Sequence, residues 1–261
     1  MCVLLDIGRS LDRSTEIDVI HLHLTLAFNT ACHSRLLLKL QIIFYGIAGS
    51  LLSWFTDYLS SHEQCVVVNG TSSSWQFCHF QSPQGSALGP ILFIFYINNL
   101  PKWLRFSRIA MFADNTKCYK HYLSICSHLK SDLSTISNWA SVNELSFQPK
   151  KYKNLGISCK CFSTEGANSI NDVQLKTVYS IHDLDIYISK NLHWLYHANT
   201  IVAKSNKTLG FLWRTHAWNV PGTSLRMLFI ALFRSTFTYT SQVWAMSSSG
   251  SIYLMNTLGG M

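Results

Sequence analysis

The sequence predicts an α+β fold built on an antiparallel sheet. Three observations predict it: hairpin signals at Asn69-Gly70 and Asp114-Asn115, stretches of helical length set between them, and no regular βαβ rhythm. Hydrophobic residues make up 48% of the 261, enough for a core, while charged residues make up only 13%. That charge content is about half of what a soluble domain carries, so the surface is expected to be poorly solvated and prone to aggregation.

The elements follow in order. Residues 17–28 are β-prone and alternate, which reads as a strand running into a turn at Ala27-Phe28. Residues 33–45 and 50–60 read as helices, with Gly46-Ile-Ala-Gly49 as the turn between them. Residues 65–68 and 75–80 are the arms of the Asn69-Gly70 hairpin. After a turn at Pro83-Gln84-Gly85 comes an apolar helix over 86–99, with Pro90 near its first turn, where proline is best tolerated. Strands at 109–113 and 116–119 flank a turn at Asp114-Asn115, and 127–142 is an amphipathic helix. Short strands are expected at 154–160, 173–179 and 184–189. The helix at 197–215 has the cleanest pattern: Ala198, Ile201, Val202, Leu209 and Leu212 share one face, while Lys204, Lys207 and Arg214 lie opposite with Phe211 among them. Residues 221–236 form a further helix, and 246–261 are a Ser/Gly-rich, fraying tail.

Charge and cysteine usage narrow the function classes. The net charge is +8, and no acidic residue follows Asp185. A polyanion partner fits this distribution, nucleic acid before membrane. The eight cysteines show no C-x-x-C spacing and the histidines form no H-E-x-x-H motif, so no zinc site is expected. Asp6, Arg9 and Asp12 break the N-terminal apolar run, which excludes a signal peptide; the chain is expected to be cytoplasmic or nuclear, not secreted. Lys39, Gln41, Gly46 and Gly49 interrupt the apolar stretch at 36–55, so buried helices are preferred to a membrane span. No obligate protein partner is inferred.

Three segments, in order, resemble the polymerase motifs of non-LTR (LINE-type) retrotransposon reverse transcriptases. They are Leu22-His-Leu-Thr-Leu-Ala-Phe-Asn, Gln81-Ser-Pro-Gln-Gly-Ser-Ala-Leu-Gly-Pro-Ile-Leu-Phe and Met111-Phe-Ala-Asp-Asn-Thr. Two later stretches, Leu184-Asp-Ile-Tyr-Ile-Ser-Lys-Asn-Leu and Asn206-Lys-Thr-Leu-Gly-Phe-Leu, resemble that family's primer-grip region and thumb. The similarity runs from about residue 16 to the end.

The resemblance implies a polymerase right hand: a palm over 1–190 with residual fingers elements, a partial helical thumb over 191–245 and the tail 246–261, the fingers being largely missing. It implies an RNA template and a DNA primer as partners and Mg2+ as cofactor, two ions roughly 3.5–4 Å apart held by carboxylates. The family places three metal-binding aspartates in the palm. Here Asp114 is retained, Asn115 stands for the second, and His23 stands on the strand where the third belongs; a nearby family aspartate is Asn29. Asparagine keeps an oxygen but loses the charge, and imidazole suits zinc, copper or nickel better than magnesium. The implied metal site at Asp114 is therefore expected to stay nearly empty of magnesium, and the enzyme to be inactive. A weak His23–Asp114 site for a softer ion is the alternative. The resemblance further assigns Phe28 to the gate that reads the sugar, Gln84 and Gly85 to the nucleotide cradle, and Lys150, Lys151 and Lys153 to phosphate contacts. Lys204, Lys207 and Arg214 would lie along a nucleic-acid backbone. Asp185 stands where the family usually has glycine. Two other functional readings stand beside a decayed polymerase: a non-catalytic RNA- or DNA-binding module that keeps the basic thumb face, and a translated remnant without function.

Overall fold

The computed structural model describes residues 2–13, 15–25, 27–41, 46–60, 63–77, 86–121, 126–158, 169–170, 173–216 and 220–244. The chain opens with α1 (Cys2–Asp12), β1 (Ile17–His23), α2 (Ala27–Thr30), α3 (His33–Leu40) and α4 (Gly49–Ser60). Four short strands follow: β2 (Glu63–Gln64), β3 (Val67–Val68), β4 (Thr71–Ser72) and β5 (Gln76–Phe77). Then come α5 (Leu88–Ile97), a 3-10 turn at Leu100–Trp103, the hairpin β6 (Arg108–Phe112) and β7 (Asn115–His121), and α6 (Cys126–Val142). A second 3-10 turn at Pro149–Lys151 leads to β8 (Lys153–Ile157), β9 (Ser169–Ile170), β10 (Val173–Gln174), β11 (Lys176–Thr177), β12 (Ser180–Asp183) and β13 (Ile186–Ser189). The rest is helical: α7 (Leu195–His216), α8 (Gly222–Leu228), a π-helical segment at Phe229–Arg234, α9 (Ser235–Thr238) and α10 (Ser241–Trp244).

The chain divides into two compact units. One comprises residues 18–154 and 164–177; the other comprises 1–17, 155–163 and 178–261. Five strands form one sheet in the order β11-β8-β1-β7-β6. β6 and β7 pair antiparallel, as do the two-stranded ribbons β10-β9, β12-β13, β2-β5 and β3-β4, whereas β11 runs parallel to β8. β1 is buried along most of its length, from Ile17 through Leu22. An interior strand has no solvent side to alternate towards, and here even the polar His21 is buried among Ile17, Val19, Ile20 and Leu22.

The core of the first unit gathers β1 with α3, α5 and α6. Ile20, Leu22, Leu36, Leu40, Leu92, Phe93, Tyr96, Leu133, Ile136 and Trp139 are all nearly inaccessible to solvent. Each such side chain contributes about 1.5–3 kcal/mol on burial. Helix α6 forms because Leu129, Leu133, Ile136 and Ala140 recur at helical spacing on the buried side. Asp132 falls on the same side. Its carboxylate accepts backbone N–H groups from Arg105, Phe106 and Ser107 at 3.3, 3.1 and 2.6 Å. It thereby fixes the segment that enters β6.

Three sequence expectations need correcting. The turn of the β6–β7 hairpin is Ala113-Asp114, not Asp114-Asn115, because Phe112 pairs with Asn115 and makes Asn115 the first residue of β7. Residues 17–28 do not continue as one strand: β1 ends at His23 and the helical turn α2 begins at Ala27. The strand expected from 184 begins at Ile186, because Leu184 and Asp185 form the turn between β12 and β13 with φ of 46° and 63°. Helix α1 was not foreseen, its Asp6, Arg9 and Asp12 having been read only as interruptions. At Asn69-Gly70 the hairpin signal holds, both residues having positive φ as a two-residue type I′ turn requires, but the returning strand is Thr71–Ser72 and not 75–80, whose Gln76–Phe77 pairs with Glu63–Gln64 instead.

Candidate functional site

The site lies within the first unit, where three segments meet. His23 is the last residue of β1, and Asp114 sits in the turn between β6 and β7. The Leu24 N–H donates to the Asp114 carbonyl at 3.1 Å, stitching the end of β1 to the hairpin tip. On the other side, the Gln148 N–H donates to the His23 carbonyl at 2.8 Å and the Thr25 N–H to the Ser146 carbonyl at 2.7 Å. Leu24 and Phe147 form a β-bridge. These bonds hold the 3-10 turn carrying Lys150 and Lys151, and the start of β8 at Lys153, beside His23.

His23 Nδ1 stands 3.8 Å from Asp114 Oδ2, with the two side chains 29% and 39% exposed. That distance is too long for a hydrogen bond. Burial pushes the His23 imidazole below its usual pKa, and the positive charges of Lys151 and, less, Lys153 push it the same way; the attraction of Asp114 is outweighed. At neutral pH the ring is therefore uncharged.

The donor set does not fit a pair of magnesium ions. It offers one carboxylate, one amide at Asn115 and one imidazole, where magnesium calls for an oxygen shell of high negative charge. Among the described residues no three His, Cys, Asp or Glu side chains converge on one point. The softer-ion alternative rests on two donors alone.

The other expected site residues fall as follows. Phe28 lies on the helical turn α2, four residues beyond Leu24, and its side chain is outside the described residues, as are Gln84 and Gly85. Asn29 is exposed on the same turn. Lys150 and Lys151 are exposed. In the second unit, α7 buries Ala198, Ile201 and Leu212 and exposes Lys204, Lys207, Phe211 and Arg214, as its pattern predicts. Lys204, however, is engaged: its Nζ donates to both oxygens of Asp185 at 3.0 Å. That hydrogen bonding holds the Asp185 carboxyl below its usual range against the opposing effect of burial. Sequence reasoning missed Asp132; the signal was an acid at a core position of an otherwise apolar helical stripe.

A family model described as reverse transcriptase (RNA-dependent DNA polymerase) matches residues 13–210. The chain belongs to the reverse transcriptase family. The match takes in β1, the β6–β7 hairpin, the lysine turn and most of α7. No curated protein sequence matches this reverse transcriptase domain. Among solved structures it is similar to telomerase from Candida tropicalis in complex with a TWJ fragment of telomeric RNA. That similarity has a TM-score of 0.53 at 9% identity over 95% of this chain and 42% of that one. It is also similar to apo telomerase from Candida tropicalis truncated from the C-terminal domain, with a TM-score of 0.51 at 12% identity over 72% of this chain and 37% of that one. The chain thus spans less than half the length of these structures. The likeness establishes the polymerase right-hand fold as a mixed α+β architecture. Among the described residues no helix is long and apolar enough to cross a membrane.

Proposed function

We propose that this reverse transcriptase domain derives from a non-LTR (LINE-type) retrotransposon and is degenerate and inactive in polymerisation. The observation that carries the inactivity is the palm centre itself: Asp114 meets His23 at 3.8 Å, with Asn115 next in chain. A metal-dependent nucleotidyl transfer needs carboxylates to concentrate magnesium, and two of the three expected positions no longer carry one. The ordered motifs around residues 22–29, 81–93 and 111–116 support the LINE-type origin. In this reading the palm covers 1–190 and the thumb 191–245, and the family's RNA template and DNA primer remain the partners.

Primer extension on an RNA template, with Mg2+ and separately with Mn2+, tests the reading. The chain is compared with a His23→Asp/Asn29→Asp/Asn115→Asp variant. No extension by the natural sequence is expected; extension by it would refute inactivity. Extension by the variant alone would place the defect in the metal centre.

A second reading has its own support. Lys207 and Arg214 are exposed on α7, and no acidic residue follows Asp185 to neutralise them in sequence. That fits a non-catalytic module gripping a nucleic-acid backbone through salt-sensitive, sequence-independent contacts.

A further inference from the structure

We infer that the second unit binds a small uncharged ring bearing a lactam or amide, in the cavity between α7, the β12–β13 ribbon and the end of the π-helical segment. The cavity measures about 300 Å³, within the range of small-ligand pockets. His197 of α7 borders it and is 2% exposed. The Tyr187 N–H donates to His197 Nδ1 at 3.4 Å, which fixes the tautomer of the neutral ring and leaves its hydrogen on Nε2. That Nε2 is buried and has no hydrogen-bond partner among the described residues. Trp194 and Trp244 pack against the ring in T-shaped contacts, but an indole nitrogen is a donor and offers no acceptor. A buried donor left unmade is costly, so a ligand oxygen that accepts from it is favoured. The hydroxyls that border the cavity have the opposite character. Thr200 donates to the Tyr196 carbonyl at 2.9 Å, Thr236 to the Leu232 carbonyl at 2.8 Å and Tyr239 to the Leu184 carbonyl at 3.0 Å. With their hydrogens committed, these oxygens remain as acceptors. Charge on the wall is balanced, because Lys204 closes on Asp185 and burial pushes the His197 imidazole below its usual pKa. An ionised ligand would give up its hydration there without gaining a free counter-charge. One buried donor facing several acceptors on a neutral wall is the complement of a lactam, whose carbonyl accepts and whose N–H donates. The rings of Tyr187 and Tyr239 border the same space and suit a flat molecule.

The site needs no template, primer or metal, so it stands apart from the reading of the palm centre and is tested without them. The full chain, isotopically labelled at its histidine nitrogens, is titrated with quinazolinone, a neutral bicyclic lactam, and the imidazole N–H resonances are followed by NMR. The His197 Nε2–H signal, assigned by its loss in a His197→Phe variant, is expected to shift saturably, and the melting midpoint to rise with ligand. A Thr200→Val/Thr236→Val variant keeps side-chain volume and removes two acceptors; it is expected to bind about tenfold more weakly while its own Nε2–H signal persists. Thr236→Trp fills the cavity without touching the imidazole and is expected to abolish the shift. This variant carries the test, with its own melting curve as the check on folding, should the buried His197→Phe change destabilise the unit. Quinoline carboxylate, a charged ring of similar size, is expected to leave the signal in place. Absence of a saturable shift at millimolar quinazolinone would mean that the cavity holds structured water only, and would overturn the inference. Equal affinity in the Thr200→Val/Thr236→Val or Thr236→Trp variants, or equal binding of the carboxylate, would overturn it as well.

Discussion

At position 113 the chain holds an alanine with φ of 51°, in the left-handed region that costs an L-residue with a side chain roughly 1–2 kcal/mol. The register of β6 on β7 forces it there, since Phe112 opposite Asn115 leaves a two-residue turn. Ala113→Gly is expected to shift the urea midpoint upward, because relief of that strain exceeds the extra entropy of about 0.5–1 kcal/mol that glycine gives the unfolded chain. A lower midpoint would mean that the methyl group packs. Lys39 is a second residue under constraint. It is buried, donates to the Tyr96 carbonyl and to Asn99 Oδ1, and lies 4.3 Å from the Tyr96 ring centre with no carboxylate beside it. Burial lowers its pKa from 10.5 to about 8. The folded state therefore holds fewer protons there than the unfolded chain, and stability rises with pH through the window from about 8 towards 10.5. Cys118 and Tyr96, both pushed up to about 12, oppose the rise once the unfolded chain begins to ionise at 9.0 and 10.0. Denaturation is thus expected to show a gain between pH 8 and 9 that a Lys39→Met variant lacks; equal slopes in the two proteins would count against a lowered pKa at Lys39.

Among the elements, the β6–β7 hairpin depends on α6, whose Asp132 holds the segment that enters it. Asp132→Ala removes the acceptor for three backbone N–H groups, and the expected loss is at least about 2 kcal/mol in chemical denaturation, with Asp132→Asn losing less. A loss under half a kilocalorie would show that water replaces the carboxylate. Helix α7 carries a different expectation: Lys207→Gln/Arg214→Gln should flatten the salt dependence of duplex binding, while Lys204→Gln should barely alter it, because Asp185 already neutralises that amine. The face of α7 was legible in the sequence because a 3.6-residue period separates Ala198, Ile201 and Leu212 from Lys207 and Arg214. The Lys204–Asp185 pair was not, since the two stand 19 residues apart and meet only through the β12–β13 turn. That turn also explains Asp185 in a position the resemblance assigns to glycine: φ is positive there, and aspartate tolerates the left-handed region better than most residues. The palm hairpin was legible to within one residue. The turn expected at Asp114-Asn115 lies at Ala113-Asp114, because strand register pairs Phe112 with Asn115 and puts Ala113 at positive φ.

Over the whole molecule, 13% charged residues must solvate a surface that also exposes Val66, Val67, Val68, Trp75 and Phe77 on the ribbons around Asn69-Gly70. These side chains make a β-prone, uncharged patch of the kind that recruits other chains. Val67→Thr/Val68→Thr is expected to reduce light scattering on heating without moving the melting midpoint, and unchanged scattering would exonerate the ribbon. The family was legible from the order of short motifs, which is a property of the sequence. The strand order β11-β8-β1-β7-β6 was not, because each pairing joins segments whose local patterns say only that they are strands. The resemblance assigns Lys150, Lys151 and Lys153 to phosphate contacts, but the closeness of their turn to His23 follows from the Gln148 bond, which no local pattern encodes. The same strand order sets a clock. The amides of β1, flanked by β8 and β7, can exchange with deuterium only when neighbouring strands part, whereas ribbons of two-residue ladders open one bond at a time. His23 thus hangs from the slowest-exchanging strand of the sheet, and its label would be among the last to arrive.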